Sequence, residues 1–430
     1  MNKNKSNLLI VNIFFGLIPM SFILGNFAIN LNIVILFLLS LFFYYEKLQY
    51  LKFNSLDKII TFFFIYIFYV LIINFFEARF SNQALPSIII TKTFFYFRYY
   101  LLYISLRLLV SQNLLKLNWF FLSCAFCSIF VCVDIYFQYF FGKDIFRITP
   151  ISLRNLSGPF GQELIAGGYI QRFSLFALFL PFIFKQKKAF NKFLILSLFV
   201  FIFTTGIILS GNRMPLILYI FSLFLIGLFK KNWKKQFISL SVIFIIILTL
   251  FYYNNKSFRY NSGNFYRSTK HLINVFSDKN ISIKQDIIVN RSSYVNEFYS
   301  FYDIWKKNIY FGGGIRSYRA NCPRCNSHPH NYYLEILDDL GLFGFFIIII
   351  LISFILHKAF IKKYIFKLQH GFDQKILALF YILFIEFFPI RSSGSFFSTN
   401  NASFIFIALA LLVSLIERYK KIEENKNLKN

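Results

Sequence analysis

Apolar runs of about 17 residues or longer recur along the whole chain, and each is long enough to cross a hydrocarbon core about 30 Å thick. Of the 430 residues, 57% are hydrophobic and only 15% are charged, against about 25% charged residues in ordinary soluble domains. A water-soluble protein of this size cannot bury so much apolar surface. The sequence therefore predicts an all-α, polytopic membrane protein, and it excludes soluble enzymes, secreted domains and DNA-binding proteins.

The apolar runs predict twelve transmembrane helices. The first run leads directly into the second, so we expect no cleavable signal peptide. The predicted spans are 8–25, 28–45, 59–76, 88–110, 119–138, 165–184, 192–209, 215–229, 236–253, 341–357, 374–390 and 402–416.

The net charge of +28 does not indicate a nucleic-acid partner, because most Lys and Arg residues lie in short loops between apolar runs. The loops on one side, together with the chain ends, hold 24 Lys and Arg residues, whereas the short loops opposite hold six. The positive-inside rule makes the Lys-rich side cytoplasmic. We therefore expect a multi-pass protein with both termini in the cytoplasm.

One outer-face loop is much longer than the others. It divides the chain into 1–253 with spans one to nine, the loop 254–340, and 341–430 with spans ten to twelve and a cytoplasmic tail. Structureless loops of that length are usually functional. The loop holds 12 Lys and Arg residues, which predicts that an anionic substrate is handled at the outer face.

Among the five His residues, His330 has the most distinctive position, because it lies where the long loop meets span ten. The apolar pattern after it has helical spacing and ends at Gly341. A helix there would hold His330 at its N-terminal edge, beside backbone N–H groups that favour anions. A satisfied interfacial histidine is the alternative. We expect structural roles for His271, His357 and His370.

The segment that begins at His330 resembles a motif of a known protein family. His330-Asn331, nine residues, Gly341, two residues and Gly344 resemble the signature of the O-antigen ligase and Wzy-type polymerase superfamily. Five further patches resemble the family in the expected order, so that the similarity runs from about Arg98 to Phe397. These patches are 133–146, 156–172, 209–213, 290–314 and 388–397.

The resemblance implies a metal-independent glycosyltransferase of the C-type membrane fold that needs no cofactor. Such enzymes take a glycan from an undecaprenyl-diphosphate carrier at the periplasmic face of the bacterial inner membrane, where the active site opens. They deliver it to lipid A-core or to another carrier-linked glycan. In the family, arginines near the membrane surface hold the diphosphate and the loop His acts at the acceptor hydroxyl. Carried over, these residues are Arg213, Arg291 and His330.

Elementary chemistry agrees with these roles. Arg213 lies in a very short outer loop, at the depth of a lipid diphosphate, and a guanidinium pairs bidentately with phosphate. An interfacial anchor, or a solvated charge in the case of Arg291, is the alternative. An acceptor hydroxyl needs a base, and imidazole, with a pKa in water of about 6.5, suits neutral pH. His328 is a nearby competitor for the role of His330.

Other charged residues are weaker candidates. Arg98 and Arg172 fall within or beside spans four and six, so they are candidates for substrate binding. They could equally snorkel to the interface or pair with Asp134 or Glu163. We expect Glu386 to neutralise Arg391 or another arginine, and we expect Asp338 and Asp339 to form a solvated helix face.

The five cysteines fall into two groups. Cys124, Cys127 and Cys132 lie in span five and are expected to act as small apolar residues. Cys322 and Cys325 face an oxidising compartment, where a disulfide is possible. Free thiols, or a zinc site shared with His328 and His330, remain alternatives.

The leading hypothesis is an O-antigen ligase-like transferase whose partners are the lipid-linked donor, lipid A-core and membrane lipids. A Wzy-type polymerase would use the same donor with a carrier-linked acceptor. A protein O-oligosaccharyltransferase is a further enzyme alternative. A flippase for lipid-linked glycans belongs to a different class, and it should place its charge along a central cavity rather than at the outer surface, where this chain has it.

Overall fold

The structure, a computed structural model, describes residues 3–82, 85–151, 155–184, 189–229, 234–277, 293–322, 328–361, 374–389, 391 and 394–427. Within these residues the regular elements are helices and no strand occurs, which agrees with the predicted all-α class. The α-helices are α1 (Lys3–Gly16), α2 (Ile18–Leu24), α3 (Asn26–Tyr44), α4 (Ser55–Phe80), α5 (Ser87–Tyr96), α6 (Arg98–Ser111), α7 (Leu117–Phe141), α8 (Ala166–Ile183), α9 (Ala189–Leu209), α10 (Arg213–Phe229), α11 (Lys234–Asn254), α12 (Lys256–Ser277), α13 (Ser293–Trp305), α14 (Ser317–Asn321), α15 (Tyr332–Leu356), α16 (Gln374–Glu386) and α17 (Thr399–Asn427).

Seven of the described helices are long and apolar enough to cross a membrane, and α1 with α2, bent by 44°, could form an eighth span. This establishes a multi-pass membrane protein. The other four predicted spans also coincide with helices, which are α5 with α6, α10, α11 and α16. These helices are short or broken in the described residues, so the count of twelve spans stays a prediction.

The segment 254–340 is not the structureless loop that the sequence indicates. It contains α12, α13 and α14 in its described part. α12 is amphipathic, with Phe258 on its apolar side and exposed cations such as Arg267 and Lys270 elsewhere. Polar residues make up much of this helix, so a search for long apolar runs does not find it.

The chain forms two compact units. The first unit comprises Met1–Ala125, Leu175–Lys185 and Phe301–Asn430, and the second comprises Phe126–Ser174 and Gln186–Ser300. In the first unit α17 is the central helix, and 89% of its apolar window is buried. Lipid tails are as apolar as the protein, so close packing, rather than escape from water, holds such a helix in place. Phe406 of α17 packs against Phe64 and Tyr96 with ring centroids 5.0 and 6.2 Å apart.

A buried ion pair joins α4 to α6 in the first unit. Arg107 donates from Nε and Nη2 to the two carboxylate oxygens of Asp57, over 2.7 and 2.8 Å. Asp57 also belongs to the capping box that starts α4 at Asn54. Arg107 extends the network to Ser414 and Glu417 of α17. This network fixes three helices at the end that we expect to be cytoplasmic, and the sequence analysis did not identify it.

In the second unit, close helix contacts depend on small residues. A Cβ atom at Gly206 of α9 would lie only 2.6 Å from the Sγ atom of Cys132 in α7. Nearby, the Tyr136 hydroxyl donates to the carbonyl oxygen of Ile202 over 2.6 Å. Small residues let membrane helices approach closely, which agrees with the apolar role expected for Cys132.

Candidate active site

His330 lies immediately before the helix that the sequence predicts there. The N-cap of α15 is Asn331, whose Oδ1 accepts from the backbone N–H groups of Tyr333 and Leu334 over 2.9 and 3.3 Å. Its Nδ2 donates to the carbonyl oxygen of Pro389 over 2.9 Å. His330 has a φ of 48°, a conformation that non-glycine residues seldom adopt. The predicted helix start is confirmed, and the cap holds His330 at its N-terminal edge.

A second imidazole lies beside the first. The ring centroids of His328 and His330 are 4.5 Å apart, and both residues are half-buried. Burial first, and then the charges of His330 and Arg316, lower the pKa of His328 to about 4. His328 is therefore neutral at neutral pH and is a weak proton acceptor there. The choice of His330 as the base stays a prediction.

An ion pair supports the first turn of α15. Arg391 donates from Nη1 to Oε2 of Glu386, and both side chains are buried. Tyr332 donates its hydroxyl to Oε1 of the same carboxylate over 2.9 Å, and the Arg391 guanidinium lies 5.5 Å from the Tyr332 ring centroid. The expected pairing of Glu386 with Arg391 is confirmed. It connects the segment between α16 and α17 to the helix that follows His330.

Asp338 and Asp339 do not form a solvated helix face, and this expectation is wrong. They are 2% and 0% exposed. Asp339 accepts from the backbone N–H groups of Arg316 and Ser317 over 2.9 and 3.1 Å, and the Ser317 hydroxyl donates to Asp338 over 2.9 Å. The start of α14 covers the polar side of α15 and donates hydrogen bonds to both carboxylates, which the spacing of residues along α15 alone cannot reveal.

Glu335 is a third buried carboxylate on this helix, and the sequence analysis did not consider it. It accepts hydrogen bonds from the Ser395 hydroxyl and from the backbone N–H of Phe396. One signal was available in the sequence, because Glu335, Asp338 and Asp339 share one face at helical spacing. Together they attach two chain segments to the helix that carries His330 at its start.

The spacing of the two signature glycines has a steric cause. Gly341 has a φ of 65°, and a Cβ atom there would lie 2.2 Å from the carbonyl oxygen of Tyr310. In the segment that packs against Gly341, a Cβ atom at Gly312 would lie 2.5 Å from the backbone nitrogen of Gly341. A Cβ atom at Gly344 would approach Tyr66 to 3.2 Å. The backbone of α15 is non-helical at Gly341, and the helix bends there. Residues 309–314 contact the backbone of α15 directly at this bend.

Arg98, a weaker candidate, belongs to the first unit. It donates from Nη2 to the Tyr99 hydroxyl over 2.6 Å and to Oγ1 of Thr399 over 3.2 Å. Its guanidinium lies 4.5 Å from the Tyr99 ring centroid. Within the described residues Arg98 forms no ion pair, so its charge is held by neutral groups.

Two further candidates belong to the second unit. Arg213 is the first residue of α10, and it lines a cavity of ≈ 160 Å³. The lining is mainly apolar, with Leu216 of α10 and Phe258 of α12 among its residues. Arg172, in α8, is only 7% exposed. Arg291 lies outside the described residues, so its role stays a prediction.

The described cysteines fall into the two groups that the sequence predicts. Cys124, Cys127 and Cys132 are buried free thiols. Cys322 is disulfide-bonded. Cys325 lies outside the described residues, and its pairing with Cys322 stays a prediction.

The comparison with protein families gives one match. The O-antigen ligase family model matches residues 198–349. This range includes Arg213, His330 and both signature glycines, and it confirms the resemblance to the O-antigen ligase and Wzy-type superfamily. No curated protein matches the chain.

Proposed function

We propose that this protein, whose residues 198–349 match the O-antigen ligase family, transfers a glycan from an undecaprenyl-diphosphate carrier to lipid A-core. The transfer takes place at the periplasmic face of the bacterial inner membrane. The observation that carries the proposal is His330, which directly precedes the Asn331 cap at the start of α15 and lies next to a histidine that stays neutral. The proposed base is therefore fixed at the edge of a helix.

In the proposed reaction the acceptor hydroxyl oxygen attacks the anomeric carbon of the donor sugar. His330 takes the hydroxyl proton, a role that typically contributes about 10²–10⁴-fold in rate. The bond from the anomeric carbon to the phosphate oxygen breaks, and its electron pair leaves on the diphosphate. Arg213 and Arg291 stabilise that developing charge, because guanidinium groups pair bidentately with phosphate oxygens. No metal ion is needed for these steps.

The surroundings of Arg213 support a lipid-linked donor. A cation at the rim of an apolar cavity suits a molecule that joins a diphosphate to an isoprenoid chain. Leu216 and Phe258 offer apolar contacts, and Arg213 offers charge-assisted hydrogen bonds at the N-terminus of α10. The same side chains would bind a free sugar phosphate poorly, since it lacks the lipid.

Deletion of the gene tests the assignment and separates it from the polymerase alternative. We expect long carrier-linked glycans to accumulate while lipid A-core stays unmodified, as gel profiles of both pools would reveal. Complementation with the wild-type gene should restore the long chains on lipid A-core. Lipid A-core that carries a single repeat unit in the deletion strain would contradict the ligase assignment and favour the polymerase.

A further inference from the structure

Four cations gather in the first unit, and we call them the cationic cluster: Lys92, Arg98, Arg316 and Arg319. The charges of Arg316, Arg98 and Arg319 all act on the ammonium group of Lys92. Lys92 and Arg319 are exposed, whereas Arg98 and Arg316 are half-buried. The cluster therefore presents a charged surface that a ligand can reach.

The backbone builds this cluster, so it does not depend on mobile side chains alone. A Cβ atom at Gly314 would lie 2.7 Å from Cγ2 of Ile89, which is one helical turn before Lys92 on α5. Arg316 follows directly, and its N–H is fixed by Asp339. Arg319 lies on α14, next to Tyr318, which packs with Phe301 and Ile304 in a small apolar core.

Protein carboxylates balance only part of the charge of this surface. Arg316 lies against α15, where its charge acts on the buried carboxyl groups of Glu335 and Asp339. Within the part of the chain that the structure describes, Lys92, Arg98 and Arg319 form no ion pair, and the hydrogen bonds of Arg98 go to neutral oxygens. The remaining like charges repel one another, and a bound anionic ligand reduces the free energy of this repulsion.

The cluster continues to the candidate base. The charge of Arg316 also acts on His328, whose ring lies beside that of His330. All of these residues belong to the first unit. Arg316 is also bound to Asp339 of α15, the helix whose start holds His330, so a group bound at the cluster lies along the same helix as the imidazole that is proposed to accept the acceptor proton.

We propose that the cationic cluster binds a phosphate group carried by the acceptor and thereby holds the acceptor hydroxyl near His330. This inference rests on the proposed function. A phosphate on lipid A-core and the diphosphate of a carrier-linked glycan share the chemistry that Arg and Lys side chains recognise. Arg213 stays assigned to the donor, so the two substrates have separate anion contacts.

The test measures equilibrium binding to the full-length protein in detergent. The probes are lipid A-core glycolipid and a lipid-diphosphate glycan, each used intact and after phosphatase treatment. Wild type should bind at least one intact probe about tenfold more tightly than its treated form, as expected for one charge-assisted contact. The double variant Lys92→Gln/Arg319→Gln should lose this preference for lipid A-core, whereas a preference for the intact lipid-diphosphate glycan that depends on Arg213 should persist.

A matched double variant serves as the control. Lys256→Gln/Lys307→Gln removes two exposed cations that do not belong to the cluster, and it should keep the wild-type preference. His330→Ala should also bind the acceptor as wild type does. A wild-type protein without the preference for intact lipid A-core, or a cluster variant that retains it, would overturn the inference.

Two further binding measurements identify the molecule that carries the phosphate. If the cluster variant loses affinity for phosphatidylglycerol vesicles to the same degree, the cluster binds bulk lipid and the inference fails. It also fails if only the donor, presented with a non-phosphorylated acceptor, binds more weakly. A protein that prefers phosphorylated acceptors but transfers no glycan would contradict the proposed function and leave the phosphate site standing.

Discussion

The imidazole rings of His328 and His330 lie with their centroids 4.5 Å apart, at the start of α15. Both residues are half-buried. Burial keeps His328 neutral at neutral pH, so it adds no charge that would repel a protonated His330. The dependence of folding stability on pH therefore tests whether His328 is buried as a neutral imidazole.

The first prediction concerns acid stability. The pKa of His328 is about 4 in the folded protein and about 6.5 when unfolded. Between these values the unfolded chain binds more protons, so folding stability falls as the pH decreases from about 6.5 to about 4. His328→Gln should remove this contribution. Thermal unfolding from pH 7 to pH 4 in detergent would measure it. Parallel curves for wild type and His328→Gln would contradict the burial of a neutral imidazole.

The second prediction concerns the buried carboxylate of Asp339. The two oxygens of Asp339 accept from different backbone N–H groups, those of Arg316 and Ser317, so Asp339→Asn places an NH₂ group against one of these donors. We expect the free energy of unfolding to fall by about 1–3 kcal/mol, because a buried donor loses its acceptor. Thermal unfolding would measure the loss.

Asp303→Asn is the matched control for that substitution. The Asp303 side chain is 67% exposed and pairs with Lys306 on the surface, over 2.6 Å. Exposed pairs contribute about 0–1 kcal/mol, so this variant should unfold close to wild type. Equal effects of the two substitutions would mean that Asp339 is solvated after all.

The third prediction concerns the bend in α15. Gly341→Ala places a methyl group 2.2 Å from the carbonyl oxygen of Tyr310, at a positive φ. We expect a loss of at least about 2 kcal/mol of stability, from backbone strain and overlap together. Gly168→Ala in α8 is the control, because a Cβ atom there meets nothing within 4 Å. Similar unfolding temperatures for the two variants would exclude the close backbone contact.

Several features could be predicted from the sequence because they depend on local patterns. Long apolar runs predict helices, and the helical pattern after Asn331 predicts the helix start that places His330. The pairing of Glu386 with Arg391 follows from two opposite charges that lie close together in the sequence, just after an apolar run.

Other features depend on distant parts of the chain and could not be predicted in this way. Glu335, Asp338 and Asp339 resemble a solvated face until residues 309–317 and 394–396 are seen to cover them. Arg107 lies 50 residues from Asp57, and only the packing of α4 on α6 joins them. The charge of Arg107 within an apolar segment was a usable signal that the sequence analysis did not follow.

The choice of arginine at position 213 gives the fourth prediction. Arg213→Lys keeps the charge but cannot reproduce a bidentate fork, so we expect donor binding to weaken by about tenfold or more. Arg267→Lys is the control, because Arg267 is exposed on α12 and donates to Gly263 and Asn264 of the same helix. Donor titration of the purified protein would compare them. Wild-type donor affinity in Arg213→Lys would contradict its role at the diphosphate.

The turnover of His330→Ala tests the central claim most directly. The assay uses purified protein, a lipid-diphosphate glycan donor and lipid A-core, with and without chelator, and His357→Ala is the control because that histidine is exposed at the far end of α15. The account predicts a loss of about 10²–10⁴-fold in turnover, with donor binding retained and with no effect of chelator on wild type. Full activity in His330→Ala, or a wild-type enzyme inactivated by chelator, would contradict it.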